Sequence, residues 1–125
     1  MKSAGLLSLT FLLSAVPAFA QWGNPQAVTI KLANDHTGAW ANEAIPVDGR
    51  SYPISAFWGN SALSQNGGVS ATNAELNSYG QNAHCNIECS HGNLALNAQT
   101  TYLSFEYGQV VNLKDATVAC QVPHW

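Results

Sequence analysis

Residues 27–32 read Ala-Val-Thr-Ile-Lys-Leu, and this hexapeptide decides the fold. Successive side chains of an extended chain point to opposite faces. Val28, Ile30 and Leu32 therefore share one face, while Thr29 and Lys31 share the other. A helix, turning about 100° per residue, would throw Ile30 to the side opposite Val28 and Leu32. Val, Thr and Ile are also β-branched, which stiffens χ1 and suits a pleated, half-buried surface. The segment reads as a strand with one face in a core and one in water.

The same period recurs on both sides. Residues 34–38 form a turn, and 40–47 read as a second strand, limited by Pro46, which cannot donate to a ladder. Asp48-Gly49 carries a hairpin-type turn signal. Residues 53–58 (PISAFW) suit a single helical turn, opened by Pro53 and stopped by Gly59. Gln65-Asn66-Gly67-Gly68 is another turn. Residues 69–76, 83–88, 93–99, 101–107 and 117–122 are further strand candidates. In 101–107, Tyr102, Ser104 and Glu106 alternate with Leu103, Phe105 and Tyr107. No window supports an amphipathic helix of ordinary length. The expectation is an all-β domain, a small antiparallel β-sandwich or barrel with at most one short helical turn.

Residues 1–20 have the three parts of a secretory leader: Lys2, an apolar run over 5–16, and Ala18-Phe19-Ala20 after Pro17. The run is shorter than the roughly 20 residues needed to span a bilayer. Residues 1–20 are thus expected to be a cleavable signal peptide, and 21–125 a single secreted β domain. That domain keeps three cations, Lys31, Arg50 and Lys114, against seven carboxylates. So sparse a set of cations excludes the basic footprint that nucleic acid or an anionic membrane demands. Polarity comes instead from twelve Asn and seven Gln in 21–125. None of these Asn lies in an Asn-x-Ser/Thr sequon, so N-glycosylation is not expected.

Cys85, Cys89 and Cys120 are an odd number of thiols for an oxidising compartment. In an extended strand Cys85 and Cys89 stand roughly 13 Å apart, beyond the ~7 Å limit for a bridge. Cys85–Cys120 is the first pairing expected, Cys89–Cys120 the second, with the spare cysteine a free thiol. His84, Cys85, Cys89 and His91 also suggest a metal set. Their spacing matches no common zinc pattern, so no metal is expected, and no cofactor motif is present.

No Gly-x-Ser-x-Gly elbow occurs, and His36, His84, His91 and His124 have no triad context. A ribonuclease-like hydrolase would need a Glu–His pair with an Arg to hold phosphate. Arg50 with Glu88 or Glu106 and His36 or His91 are the residues available, and no catalytic residue is assigned. The tryptophans carry more information. Trp22, Trp40 and Trp58 are candidate ligand-facing aromatics, because an exposed ring stacks on sugars while amides bond the hydroxyls. Trp125 lies near the other terminus. The competing reading places Trp40 and Trp58 in the core.

The run Asn34-Asp35-His36-Thr37-Gly38-Ala39-Trp40-Ala41-Asn42, followed by Ile45-Pro46-Val47-Asp48-Gly49, resembles a pattern of small secreted proteins of filamentous ascomycete fungi. Residues 54–59 and 69–76, the C-x-I at Cys85 and the T-V-x-C ending at Cys120 extend the likeness over most of 21–125. The resemblance implies a candidate effector without catalytic residues, with Cys85 paired to Cys120 and Cys89 an extra. The function expected is that of a non-enzymatic, monomeric secreted protein at the host or cell-wall interface. Its partner would be a host extracellular protein or a cell-wall polysaccharide. The alternatives are a carbohydrate-binding module and a small secreted hydrolase (ribonuclease-like or glycosidase).

Overall fold

The computed structural model describes residues 27–90 and 92–122. The expected signal peptide, Trp22, His91, His124 and Trp125 lie outside the described residues. In chain order the elements are β1 (Ala27–Asn34), β2 (Ala39–Pro46), β3 (Asp48–Pro53), α1 (Ile54–Trp58), β4 (Ser64–Gln65) and β5 (Gly68–Ala71). There follow β6 (Asn73–Ser78), β7 (His84–Cys89), β8 (Gly92–Asn97), β9 (Tyr102–Ser104), a tight turn at Glu106–Gly108, β10 (Val111–Asn112) and β11 (Thr117–Gln121). They pair antiparallel in three open sheets, ordered β9-β6-β1-β2, β10-β5-β4 and β3-β11-β7-β8. The fold is all-β, and none of the three sheets closes into a barrel.

One apolar cluster draws on all three sheets: Val28, Ile30 and Leu32 from β1, Val69 and Ala71 from β5, Ile87 from β7 and Val118 from β11. The alternation in 27–32 is realised as read, with its three apolar side chains buried and Thr29 and Lys31 on the outer side. Helix α1 is the one helical turn expected. Ile54 and Trp58 share its buried face at i, i+4 spacing, and Pro53 is its N-cap. The Ile54 N–H donates to Ala116 O at 3.0 Å, which joins the turn to the start of β11. Asn66 and Gly67, at φ 53° and 80°, make the two-residue hairpin turn between β4 and β5.

Three local expectations change. Asp48-Gly49 is not a hairpin turn, because the strands on either side of it belong to different sheets. Gly49 keeps the left-handed φ of 78°, but here the chain crosses from β2 to β3 beside an irregularity in β11 between Ala119 and Gln121. Residues 69–76 are two strands, broken at Thr72. The Thr72 N–H donates to Ala33 O at 2.7 Å, and its hydroxyl accepts from the Asp35 N–H at 3.0 Å. Those bonds fasten the chain to the end of β1 just where it changes sheet. The strand over 101–107 stops at Ser104. Phe105 is buried, and Glu106, Tyr107 and Gly108 all take positive φ, leaving Tyr107 fully exposed.

Candidate functional site

The disulfide is Cys85–Cys120. The two cysteines stand directly opposite one another in the β7–β11 register and are buried in the core. Cys89 is the free thiol, half-buried at the end of β7. It lies four residues along the same strand from Cys85, the separation that the extended geometry required.

The tryptophans divide. Trp58 is 0 % exposed. It is core and not ligand-facing, because α1 turns it inward beside Ile54 and its Nε1–H donates to Ala41 O at 3.1 Å. Phe57 packs edge-on against it, with ring centroids 6.1 Å apart. Trp40 is 58 % exposed and points away from the core. In β2 it shares parity with Asn42 and Ala44, while Ala41 and Ile45 share the inner side with Leu32 and Val28 of β1.

The register of the β9-β6-β1-β2 sheet shows what surrounds Trp40. One row across it is Tyr102, Glu75, Lys31, Asn42; the next is Ser104, Asn73, Ala33, Trp40. These rows share the outer face, since Ile30, Leu32, Ala74 and Leu76 fill the inner one. Tyr102 is 51 % exposed at one edge, and Trp40 stands at the other. Between them the Lys31 ammonium lies 3.7 Å from Glu75 Oε1 and 5.7 Å from the centre of the Trp40 ring. Each contact is individually small, about 0.5–1 kcal/mol at an exposed site. Together they hold Lys31 between a carboxylate and an indole, and give the indole a fixed neighbour on one side. Farther along, Asn77 Nδ2 donates to Asn42 Oδ1 at 2.9 Å across the intervening β1. At the end of the face Asn73 Nδ2 donates to Asp35 Oδ2 at 3.1 Å.

The outer face of the β3-β11-β7-β8 sheet differs. His84, Asn86 and Glu88 of β7 alternate with buried Cys85 and Ile87, and they neighbour Gln121, Ala119 and Thr117. It is rich in amides and carries no aromatic from these strands.

A shallow depression of about 510 Å³ lies at the far end of this sheet, bounded by Glu88, Cys89, Asp115 and Thr117. Among the described residues no histidine or arginine lines it. Among the described residues, those a hydrolase would need are dispersed. Arg50 is on β3, at the sheet's edge. His84 and Glu88 stand at opposite ends of β7, roughly 13 Å apart by strand geometry. His36 lies in the turn after β1, its N–H bonded to Asn34 Oδ1. Glu106 is in the tight turn after β9.

Asp48 is a carboxyl whose ionisation the fold alters. It accepts from the Tyr52 hydroxyl at 2.5 Å and from the Arg50 N–H at 2.9 Å. The Tyr52 bond, followed by the Arg50 backbone bond, holds Asp48 below its ordinary value, and the same contact raises Tyr52. The carboxylate's contribution is present above the unfolded aspartate pKa of about 3.9 and is lost as pH falls through the lowered value. The tyrosine's contribution is complete below about 10 and is lost as pH rises through the raised value. Tyr52→Phe should move the Asp48 titration midpoint upward, as read from carboxyl carbon shifts in a pH series. An unmoved midpoint would disprove the coupling.

Among the described residues no helix is long and apolar enough to cross a membrane. Among the site's members, Lys31, Glu75 and Tyr102 carried no sequence signal beyond the parity of their strands, because their meeting depends on pairing between distant segments. Comparison with known proteins finds no family model, no curated protein and no solved structure that matches the chain.

Proposed function

We propose that this chain is a secreted, non-enzymatic binding protein acting at the host or cell-wall interface, in the manner of a fungal effector. Its binding surface is the outer face of the β9-β6-β1-β2 sheet, and it works as a monomer. The observation that carries this reading is the pair of exposed aromatics, Trp40 and Tyr102, on a face whose central charges are paired. Large aromatics half open to water gain by being covered, and they supply contact area at low entropic cost. Their neighbours Asn42 and Asn77 supply hydrogen bonds that neither attract nor repel by charge. The leader-like residues 1–20 and the Cys85–Cys120 bridge suit an oxidising, extracellular setting.

The test is capture from host extracellular extract and from isolated cell walls by the purified protein and by Trp40→Ala/Tyr102→Ala. The double variant should retain its partner at least about tenfold less well, a loss of roughly 1.4 kcal/mol or more. Capture that is equal for both proteins would remove the face from the function.

A further inference from the structure

We infer that the occupant of this face is a neutral, extended polysaccharide, stacked on Trp40 and Tyr102; the inference rests on the binding-face reading above. Spacing is the first argument. Trp40 and Tyr102 are separated by three inter-strand steps, about 14 Å, and by two residues along the strands, about 7 Å. Their backbones therefore stand about 16 Å apart. One sugar ring cannot touch both, whereas a chain of several rings can. A protein partner instead favours a contiguous apolar anchor that is fully desolvated at the centre of the contact. Here the centre is hydrophilic and the aromatics stand at the edges, which suits a chain with repeated apolar ring faces and hydroxyls between.

Charge is the second argument. Lys31 and Glu75 neutralise each other within the face, and its exposed side chains, Trp40, Asn42, Ala44, Asn77, Tyr102 and Ser104, are uncharged, while Ala33 and Asn73 of the second row are buried. Asp35 at the end is held by the Asn73 amide. An anionic chain would meet Glu75 and Asp35 with the single cation already engaged.

Hydrogen bonding is the third. With Asn77 Nδ2 donating to Asn42 Oδ1, the Asn77 carbonyl oxygen and the Asn42 amino group stay available on exposed residues. Hydroxyls can both donate to the first and accept from the second. Lys31 supports one side of the indole, and the Trp40 residue stays exposed.

The experiment is sedimentation of the full secreted protein with insoluble cellulose, β-1,3-glucan and chitin, with polygalacturonate as the anionic control, at low and at high salt. Retention is expected on at least one neutral polymer, unchanged by salt, and absent on polygalacturonate. Trp40→Ala and Tyr102→Ala should each weaken it about tenfold. Both side chains are exposed, so unchanged thermal midpoints establish that the variants are folded. Capture of a host protein that both substitutions abolish, with no neutral polymer bound, overturns the polysaccharide and leaves the binding face standing. Retention that high salt removes overturns the neutral ligand. Polymer retention indifferent to both substitutions, or no retention of polymer or protein, overturns the ligand and the face together.

Discussion

Cys120→Ser should lower the unfolding free energy by about 4 kcal/mol, while Cys89→Ser should change it by less than about 1 kcal/mol. The bridge closes a loop with a sequence separation of 35. In the chain-entropy picture, releasing such a loop gives the unfolded ensemble about 4 kcal/mol of freedom at 25 °C. The substitution also leaves Cys85 as a buried thiol opposite a buried hydroxyl, in a part of β7 and β11 that is packed into the core. A domain of this size has a net stability of roughly 5–15 kcal/mol, so the loss is a large share of the total. Cys89 is half-buried at a strand end and has no bridge to lose. Urea unfolding of the two variants beside the parent measures both shifts. Non-reducing peptide mapping should recover Cys85 joined to Cys120 and Cys89 alkylated. A Cys120→Ser loss below about 1 kcal/mol would mean that the bridge contributes little to folding.

Much of this fold is written in parity. Residues 27–32 could be placed correctly because β-branched and apolar residues alternate with polar ones, and nothing in that stretch competes. Asn66-Gly67 and Pro53 likewise act through backbone constraints that are local to them. A change of sheet shows in parity only where the apolar positions slip. In residues 69–76 they pass from Val69 and Ala71 to Ala74 and Leu76, and the strand breaks between them at Thr72, whose backbone and hydroxyl bind the end of β1 some forty residues earlier in the chain. Asp48-Gly49 has the composition of a hairpin turn and the positive φ that goes with it, but the partner it leads to is β11, not β2. At Asp48-Gly49 a long-range pairing outweighs a local signal.

The candidate site was legible to the same degree. Trp40 shares parity with Asn42, which places it outside, although the partly buried Glu43 on the opposite parity blurs the pattern. Tyr102 was on the polar side of its strand. That Lys31 faces Glu75, and that Glu75 faces Tyr102, follows only from the order of the sheet. Residues on three separate strands become neighbours through topology, and no spacing along the chain encodes it.

Trp58→Ala should cost about 3–5 kcal/mol, the range for removing a buried aromatic. Among the described residues Trp58 is the largest fully buried side chain, and its neighbours Ile54 and Phe57 share the same short helix. Five residues do not sustain a helix by themselves, since nucleation is unfavourable and isolated short helices are marginal. The turn therefore persists because Ile54 and Trp58 are held in the core, and the alanine variant should lose the turn as well as the ring. The indole also donates to Ala41 O on β2, an edge strand of its sheet. Trp58→Phe separates the two effects. It keeps most of the apolar volume and leaves that carbonyl without its donor, so it should cost less, about 1–3 kcal/mol. Chemical denaturation ranks the three proteins, and near-ultraviolet circular dichroism reports whether the aromatic packing survives. Uncovering the edge of β2 also exposes free backbone groups to pairing with another chain, so the alanine variant should self-associate on warming before the phenylalanine one does. If Trp58→Ala costs no more than the solvent-facing Trp40→Ala, the buried position assigned to Trp58 is wrong, and the division between a structural and a surface tryptophan falls with it.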